Sequence, residues 1–129
     1  MGKLHSIISK RRDVESFLTA VKATISDESF DIKRQFFFIV KQKTQETLLG
    51  LGFDSEDVIK EIEKLTVSDY SETLFDKDNT NPPLLYVFGA LIKEKKVYIK
   101  IKQRNADDGN IIVCVSFHYP EHPMMHPYK

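Results

Sequence analysis

The apolar positions fall into short blocks whose period changes along the chain. Between Asp13 and Ser26, Val14, Phe17, Leu18, Val21 and Ile25 recur at helical spacing and lay one stripe along a helix. Asp13 is suited to cap its start. Residues 27–30 break the pattern. Phe36-Phe37-Phe38-Ile39-Val40 is aromatic and β-branched, which predicts a strand over 32–42. Thr44–Leu49 reads as a short helix closed by Gly50 and Gly52. Asp54–Lys64 is the clearest helix. Asp54 or Ser55 caps it, Glu56 and Asp57 suit its positive end, and Val58, Ile59, Ile62 and Leu65 form its buried stripe.

Beyond it the period drops to two. Residues 75–83, ending in Pro82-Pro83, form a polar loop that excludes a central strand. Three strands follow over 84–91, 97–104 and 111–118, with turns at 93–96 and 105–110. Pro120, Pro123 and Pro127 keep the tail, 119–129, from coiling and predict an extended arm on the body. Residues 1–12 read as a flexible arm. Helices first and an antiparallel meander afterwards give an α+β fold in one domain, 1–129.

The second hairpin carries the most chemistry. Val97, Ile99 and Ile101 point one way, and Tyr98, Lys100, Lys102 and Arg104 the other. In the last strand Ile111, Val113, Val115 and Phe117 form one row, and Ile112, Cys114, Ser116 and His118 the other. If the two more apolar rows share the core, Tyr98, Lys100, Lys102, Ser116 and His118 share the opposite face, with Tyr98 opposite His118 or Ser116. Two readings stand. One is the solvated back of a sheet. The other is an anion-binding, acid–base face: RNA cleavage needs a base for the ribose 2′-hydroxyl, cations for the phosphorane charge and an acid for the leaving 5′-oxygen.

Charge qualifies this. Nineteen basic and nineteen acidic residues give a net charge of zero, so bulk charge does not drive nucleic-acid binding. Residues 84–129 nonetheless hold seven basic side chains against four acidic ones, leaving the N-terminal part acidic. Any grip on RNA is then modest and steeply salt-dependent. A single cysteine, Cys114, excludes an internal disulfide and a multi-thiolate metal cage, and points to a reducing, cytoplasmic setting. It also reads better as a packed small residue than as a nucleophile paired with His118. His118, His122 and His126 are spaced by four, but the intervening prolines deny them a helix, so no metal site is expected. No apolar run approaches the ~20 residues that span a bilayer, and no membrane partner is expected. No cofactor motif is present.

Leu65-Thr-Val-Ser-Asp69-Tyr70, Val97-Tyr98-Ile99-Lys100-Ile101 and Val113-Cys-Val-Ser116-Phe117-His118 occur in an order and spacing that resembles the MqsR-like toxins of the RelE superfamily. The tail Ser116-Phe117-His118-Tyr119-Pro120-Glu121-His122-Pro123 is similar to that of a divergent branch of the family. The resemblance covers about residues 54–129. It implies helices on one face of a curved antiparallel sheet, metal-independent cleavage of single-stranded mRNA, and neutralisation by a cognate antitoxin protein. The family's tyrosine matches Tyr98. Its lysine after Ser-Phe falls on His118, a second lysine falls on Glu72 with reversed charge, and its glutamine falls on Leu85. The expected catalytic residues are therefore His118 and Tyr98, with Lys100, Lys102 and Arg104 on RNA phosphates and His122 and Ser116 in a second tier. The rival expectation is a RelE-like interaction module that binds a protein partner without RNase activity.

Overall fold

The computed structural model describes residues 4–76, 84–106 and 109–129. In chain order its elements are β1 (Leu4–Ile7), α1 (Arg11–Ser26), α2 (Ile32–Gln35), β2 (Phe36–Phe38), α3 (Gln42–Leu51), α4 (Ser55–Glu63), β3 (Tyr70–Asp76), β4 (Leu85–Ile92), β5 (Lys95–Ala106) and β6 (Gly109–His118). They build an α+β fold on a six-stranded sheet in the order β1-β3-β4-β5-β6-β2. All pairings are antiparallel except β2 with β6. Among the described residues, no helix is long and apolar enough to cross a membrane.

The helices follow the apolar stripes. Val14, Leu18 and Val21 of α1 and Val58, Ile59 and Ile62 of α4 are buried, and Phe17 stacks on Tyr86 at 4.0 Å between ring centroids. Asp54 caps α4 through a capping box with Asp57, satisfying amides that the first turn leaves orphaned. Gly52, at φ 71°, closes α3 in the left-handed conformation. Helix α1 starts earlier than its stripe implied, behind Lys10, so Asp13 lies in the first turn instead of capping it. Helix α3 is likewise longer than expected, and Gly50 lies within it.

Three segments depart from the sequence reading. The expected 32–42 strand is a single helical turn followed by three strand residues. Asp31 accepts from the Lys33 amide and starts the turn, and Phe36–Phe38 then pair alongside Ile112–Cys114. The expected N-terminal arm contributes β1, which pairs Leu4–Ile7 with Thr73–Asp76. Strand β3 begins within the mixed sequence Tyr70-Ser-Glu-Thr, where alternation is weak. The expected loop over 75–83 therefore begins inside β3, and residues 77–83 lie outside the described residues.

The tail does lie on the body. Tyr128 stacks on Tyr70 at 5.8 Å and its hydroxyl donates to the Ser9 carbonyl. The Ser9 amide donates to the Tyr70 hydroxyl at 2.8 Å, and Thr73 Oγ1 lies 2.6 Å from that hydroxyl, so the arm's end closes a buried polar network. Upstream, Met124 and His126 cross β4 above Gly89. A Cβ there would lie 2.9 Å from Met124 Sδ, so glycine lets the arm's side chains lie directly on the strand at that point.

The β4–β5 connection is tighter than expected. Only Lys93 and Glu94 lie between the strands, at φ 50° and 71°, a conformation that usually selects Asn-Gly. Lys93 is held there by a 2.7 Å bond from Nζ to the Leu51 carbonyl; Glu94 has no such tie among the described residues. Glu94→Gly should therefore stabilise the fold by roughly 0.5 kcal/mol. The left-handed penalty of about 1–2 kcal/mol outweighs the added chain entropy of glycine, about 0.5–1 kcal/mol. Chemical denaturation of the two proteins checks this; a lower midpoint for the glycine variant would contradict it.

Candidate active site

Two β-bulges set which side chains reach the outer face of the sheet. In β6 the pairing steps from Lys100↔Ser116 to Ile101↔Cys114, leaving Val115 as an extra residue. In β3 it steps from Tyr70↔Phe88 to Glu72↔Val87, leaving Ser71 extra. A bulge reverses facing parity beyond it. Tyr70 and Thr73 thus turn inward with Glu72 outward, and Cys114 and Phe117 turn inward with Ser116 and His118 outward. This corrects the expected row of Ile111, Val113, Val115 and Phe117. Ile112, Cys114 and Phe117 join the core cluster, while Val113 and Val115 do not. It also places Cys114 and His118 on opposite faces. Cys114 is fully buried, and burial pushes its thiol far up, leaving it a packed core residue.

On the outer face, register places Glu72, Val87, Lys100 and Ser116 in one row across four strands. The next row holds Gly89, Tyr98 and His118. Ser6 and Ile8 wall one side, and the arm from Pro120 to Met125 roofs a cleft of about 450 Å³. The floor is polar and the roof largely apolar. Ser6 donates its hydroxyl to Glu72 at 2.5 Å, fixing that carboxylate from β1.

The rings of Tyr98 and His118 stack at 5.2 Å and 10°. His118 Nδ1 lies 2.9 Å from the Tyr119 carbonyl, which can only accept; the proton therefore sits on Nδ1, and Nε2 is the atom available for acid–base work. Burial, and then the Glu72 and Glu121 charges, raise the Tyr98 phenol above its ordinary value, so it is a hydrogen-bond donor at neutral pH. Burial, and then the Lys41 charge, lower the Lys100 ammonium, with Glu72 acting in the opposite direction.

Tyr98, Lys100, Ser116, His118 and His122 thus share one cleft. Lys102 lies beyond it on the same face, opposite Val113, and Arg104 lies farther along with its guanidinium 5.9 Å from the Phe37 ring centroid. His126 is engaged elsewhere, its Nε2 2.6 Å from Lys96 Nζ and its Nδ1 3.2 Å from the Asp69 carbonyl. Among the described residues, no group of three or more His, Cys, Asp or Glu side chains could hold a metal ion. Leu85 pairs with Leu74 and does not line the cleft.

Sequence reasoning missed Ser6 and treated Glu72 only as a lost family position, because both reach the cleft through the pairing of β1 with β3. It also missed Glu121, which pairs with Lys43 at 2.6 Å; the hydrogen bond from that lysine holds its carboxyl below the usual range. Comparison with family models, curated proteins and solved structures finds no match for this chain.

The depressed Lys100 gives a pH prediction. Its ammonium is penalised in the folded state, so the unfolded chain binds more protons between the folded and unfolded pKa. Stability then rises with pH across that window. Lys100→Met should be more stable than wild type at neutral pH, because it removes the penalised ammonium. That advantage should shrink as the pH approaches 10. Denaturation midpoints at a series of pH values test this, and a constant difference would contradict it.

Proposed function

We propose that the chain is a metal-independent endoribonuclease of the MqsR/RelE type, an mRNA interferase that cuts single-stranded RNA by attack of the 2′-hydroxyl. The observation that carries the reading is the stacked Tyr98–His118 pair with Glu72 and Lys100 around the same cleft. A carboxylate, an imidazole, a phenol and an ammonium can together supply the base, the acid and the charge stabilisation this transesterification requires. Glu72 takes the proton of the 2′-hydroxyl as its oxygen attacks phosphorus. His118, acting as the imidazolium with a proton on each nitrogen, keeps its Nδ1 proton on the Tyr119 carbonyl and gives the Nε2 proton to the departing 5′-oxygen, leaving a 2′,3′-cyclic phosphate. Lys100 offsets the charge on the phosphorane oxygens, and the protonated Tyr98 donates to one of them. The apolar arm and the aromatic rings suit unpaired bases.

The resemblance seen in the sequence adds the biological setting: a cytoplasmic bacterial toxin held in check by a cognate antitoxin. Position 72, a lysine in that family, lines the cleft here, so the reversal to glutamate supplies a base in place of a cation. The rival, a RelE-like interaction module without RNase activity, is favoured by Leu85, which brings no chemistry to the cleft.

Purified protein incubated with single-stranded RNA and a chelator separates the two. The enzyme reading expects cleavage with cyclic phosphate ends. It expects a loss of about 10²–10⁴ in rate for His118→Ala and for Glu72→Gln, and a smaller loss for Tyr98→Phe. Absence of cleavage by the wild-type protein, together with no growth arrest on expression in a bacterial host, sinks it and leaves the interaction module.

A further inference from the structure

On the far side of Lys100 and His118 the surface opens again. A second cleft of about 570 Å³ lies between the start of α3 and the β5–β6 hairpin. Its lining includes Lys41, Lys43 and the carboxylate of Glu46, and it shares Lys100, Ser116 and His118 with the first cleft. Two lysines that sequence alone assigned to the acidic half of the chain are thereby carried to the cationic part of the sheet. Lys41 comes close enough to Lys100 to push its ammonium down further than burial alone does. Bringing like charges together costs free energy, and an anion between them removes that cost.

Two carboxylates stand at this cleft, each with a side-chain partner of its own. Glu46 accepts from Gln42 Nε2 at 3.1 Å. Glu121 accepts from Lys43 across an exposed bridge, its partners 57% and 55% accessible, and such a bridge is exchanged readily for another anion. Lys41 precedes α3 without a side-chain cap on the helix, so the first amides and the positive end of the helix dipole add to the cationic character.

We propose that Lys41 and Lys43 form a second phosphate subsite, contiguous with the first cleft through Lys100 and His118, that holds a neighbouring phosphate of the same single-stranded nucleic acid. The strand then crosses the sheet from the arm toward α3, instead of running along β5 past Lys102 to Arg104. This rests on the reading of the first cleft as an RNA-cleaving site, but binding and cleavage can be measured apart. Glu121, paired with Lys43 in the free protein, is displaced when the strand arrives.

The probe is a fluorescently labelled 2′-deoxy oligonucleotide, which lacks the attacking hydroxyl and is therefore bound but not cut. Its affinity is measured over a range of salt concentrations. Lys41→Gln/Lys43→Gln is expected to bind several-fold more weakly, with a log–log salt slope shallower by about 0.7, the value for one phosphate of a single strand no longer neutralised. Lys102→Gln/Arg104→Gln is expected to change the slope less. Glu121→Gln breaks the same bridge to Lys43 yet leaves both cations, so it should bind at least as tightly as wild type.

An unchanged slope in the Lys41/Lys43 variant overturns the subsite. So does equal weakening by Glu121→Gln, which would assign the effect to the bridge, and so does a wild-type protein that does not bind the oligonucleotide. Cleavage of RNA by the same samples is scored separately. A protein that binds through Lys41 and Lys43 but does not cut RNA keeps the subsite and loses the catalytic reading.

Discussion

The pairing of β5 with β6, and the extra residue at Val115 within it, fixes what this sheet presents on each side. A strand alternates strictly, so Ile112, Cys114 and Phe117 cannot all face one core without a break in parity. The bulge supplies that break. All three are buried, opposite Gln103, Ile101 and Ile99 in turn, and Ser116 and His118 are left facing out beside Lys100 and Tyr98. The bulge at Ser71 does the same for β3. Tyr70 and Thr73 serve the buried network under the arm, while Glu72 between them turns to the cleft. Two insertions of one residue each, on strands at either side of β4–β5, aim a carboxylate and an imidazole into the same space. Bulges often sit beside active sites for this reason.

The cleft is built at some cost to stability. An ammonium is half-buried, with a second ammonium near it, and a phenol and an imidazole are stacked under an apolar roof. The half-buried ammonium runs against what would make the sheet most stable, and the compensation lies elsewhere. The aromatic stack of Phe17 on Tyr86 and the Tyr128–Ser9–Tyr70–Thr73 network hold the two ends of the structure that frame the cleft. Local conflict set in an otherwise consistent fold is the pattern expected of a functional surface.

The charge of the chain takes a different meaning in three dimensions. Along the sequence, cations gather after residue 84 and the first part is acidic. Around the two clefts that partition dissolves: Lys41, Lys43 and Glu72 come from the acidic part and meet Lys100 and Glu121 from the basic one. What distinguishes the surface is the placement of a few charges, each with a neighbour that changes its behaviour. A neutral total is compatible with this because the charges act over distances within a Debye length, about 8–10 Å at ordinary ionic strength.

Local sequence is enough for the elements that are continuous and periodic. The stripes of α1 and α4, the capping role of Asp54, the core row of β5 and the outward placement of Tyr98 and Lys100 all follow from local spacing, because burial of a stripe enforces its own period. The prolines of the tail determined that it would be an arm. Tertiary structure decided the rest. Whether Leu4–Ile7 pairs, whether 32–42 is strand or turn, and where β3 lies depend on partners distant in the chain, since the backbone of a strand is satisfied only by a neighbour. Bulges likewise leave no local mark, because the extra residue is identified only by the strand it faces. Ser6 and the lysines at the start of α3 were therefore invisible as site residues, and Glu72 stood out only as a reversed charge at a position that the family resemblance marked. The amino-acid pattern named the face, and the sheet's order and its two bulges chose which side chains meet on it.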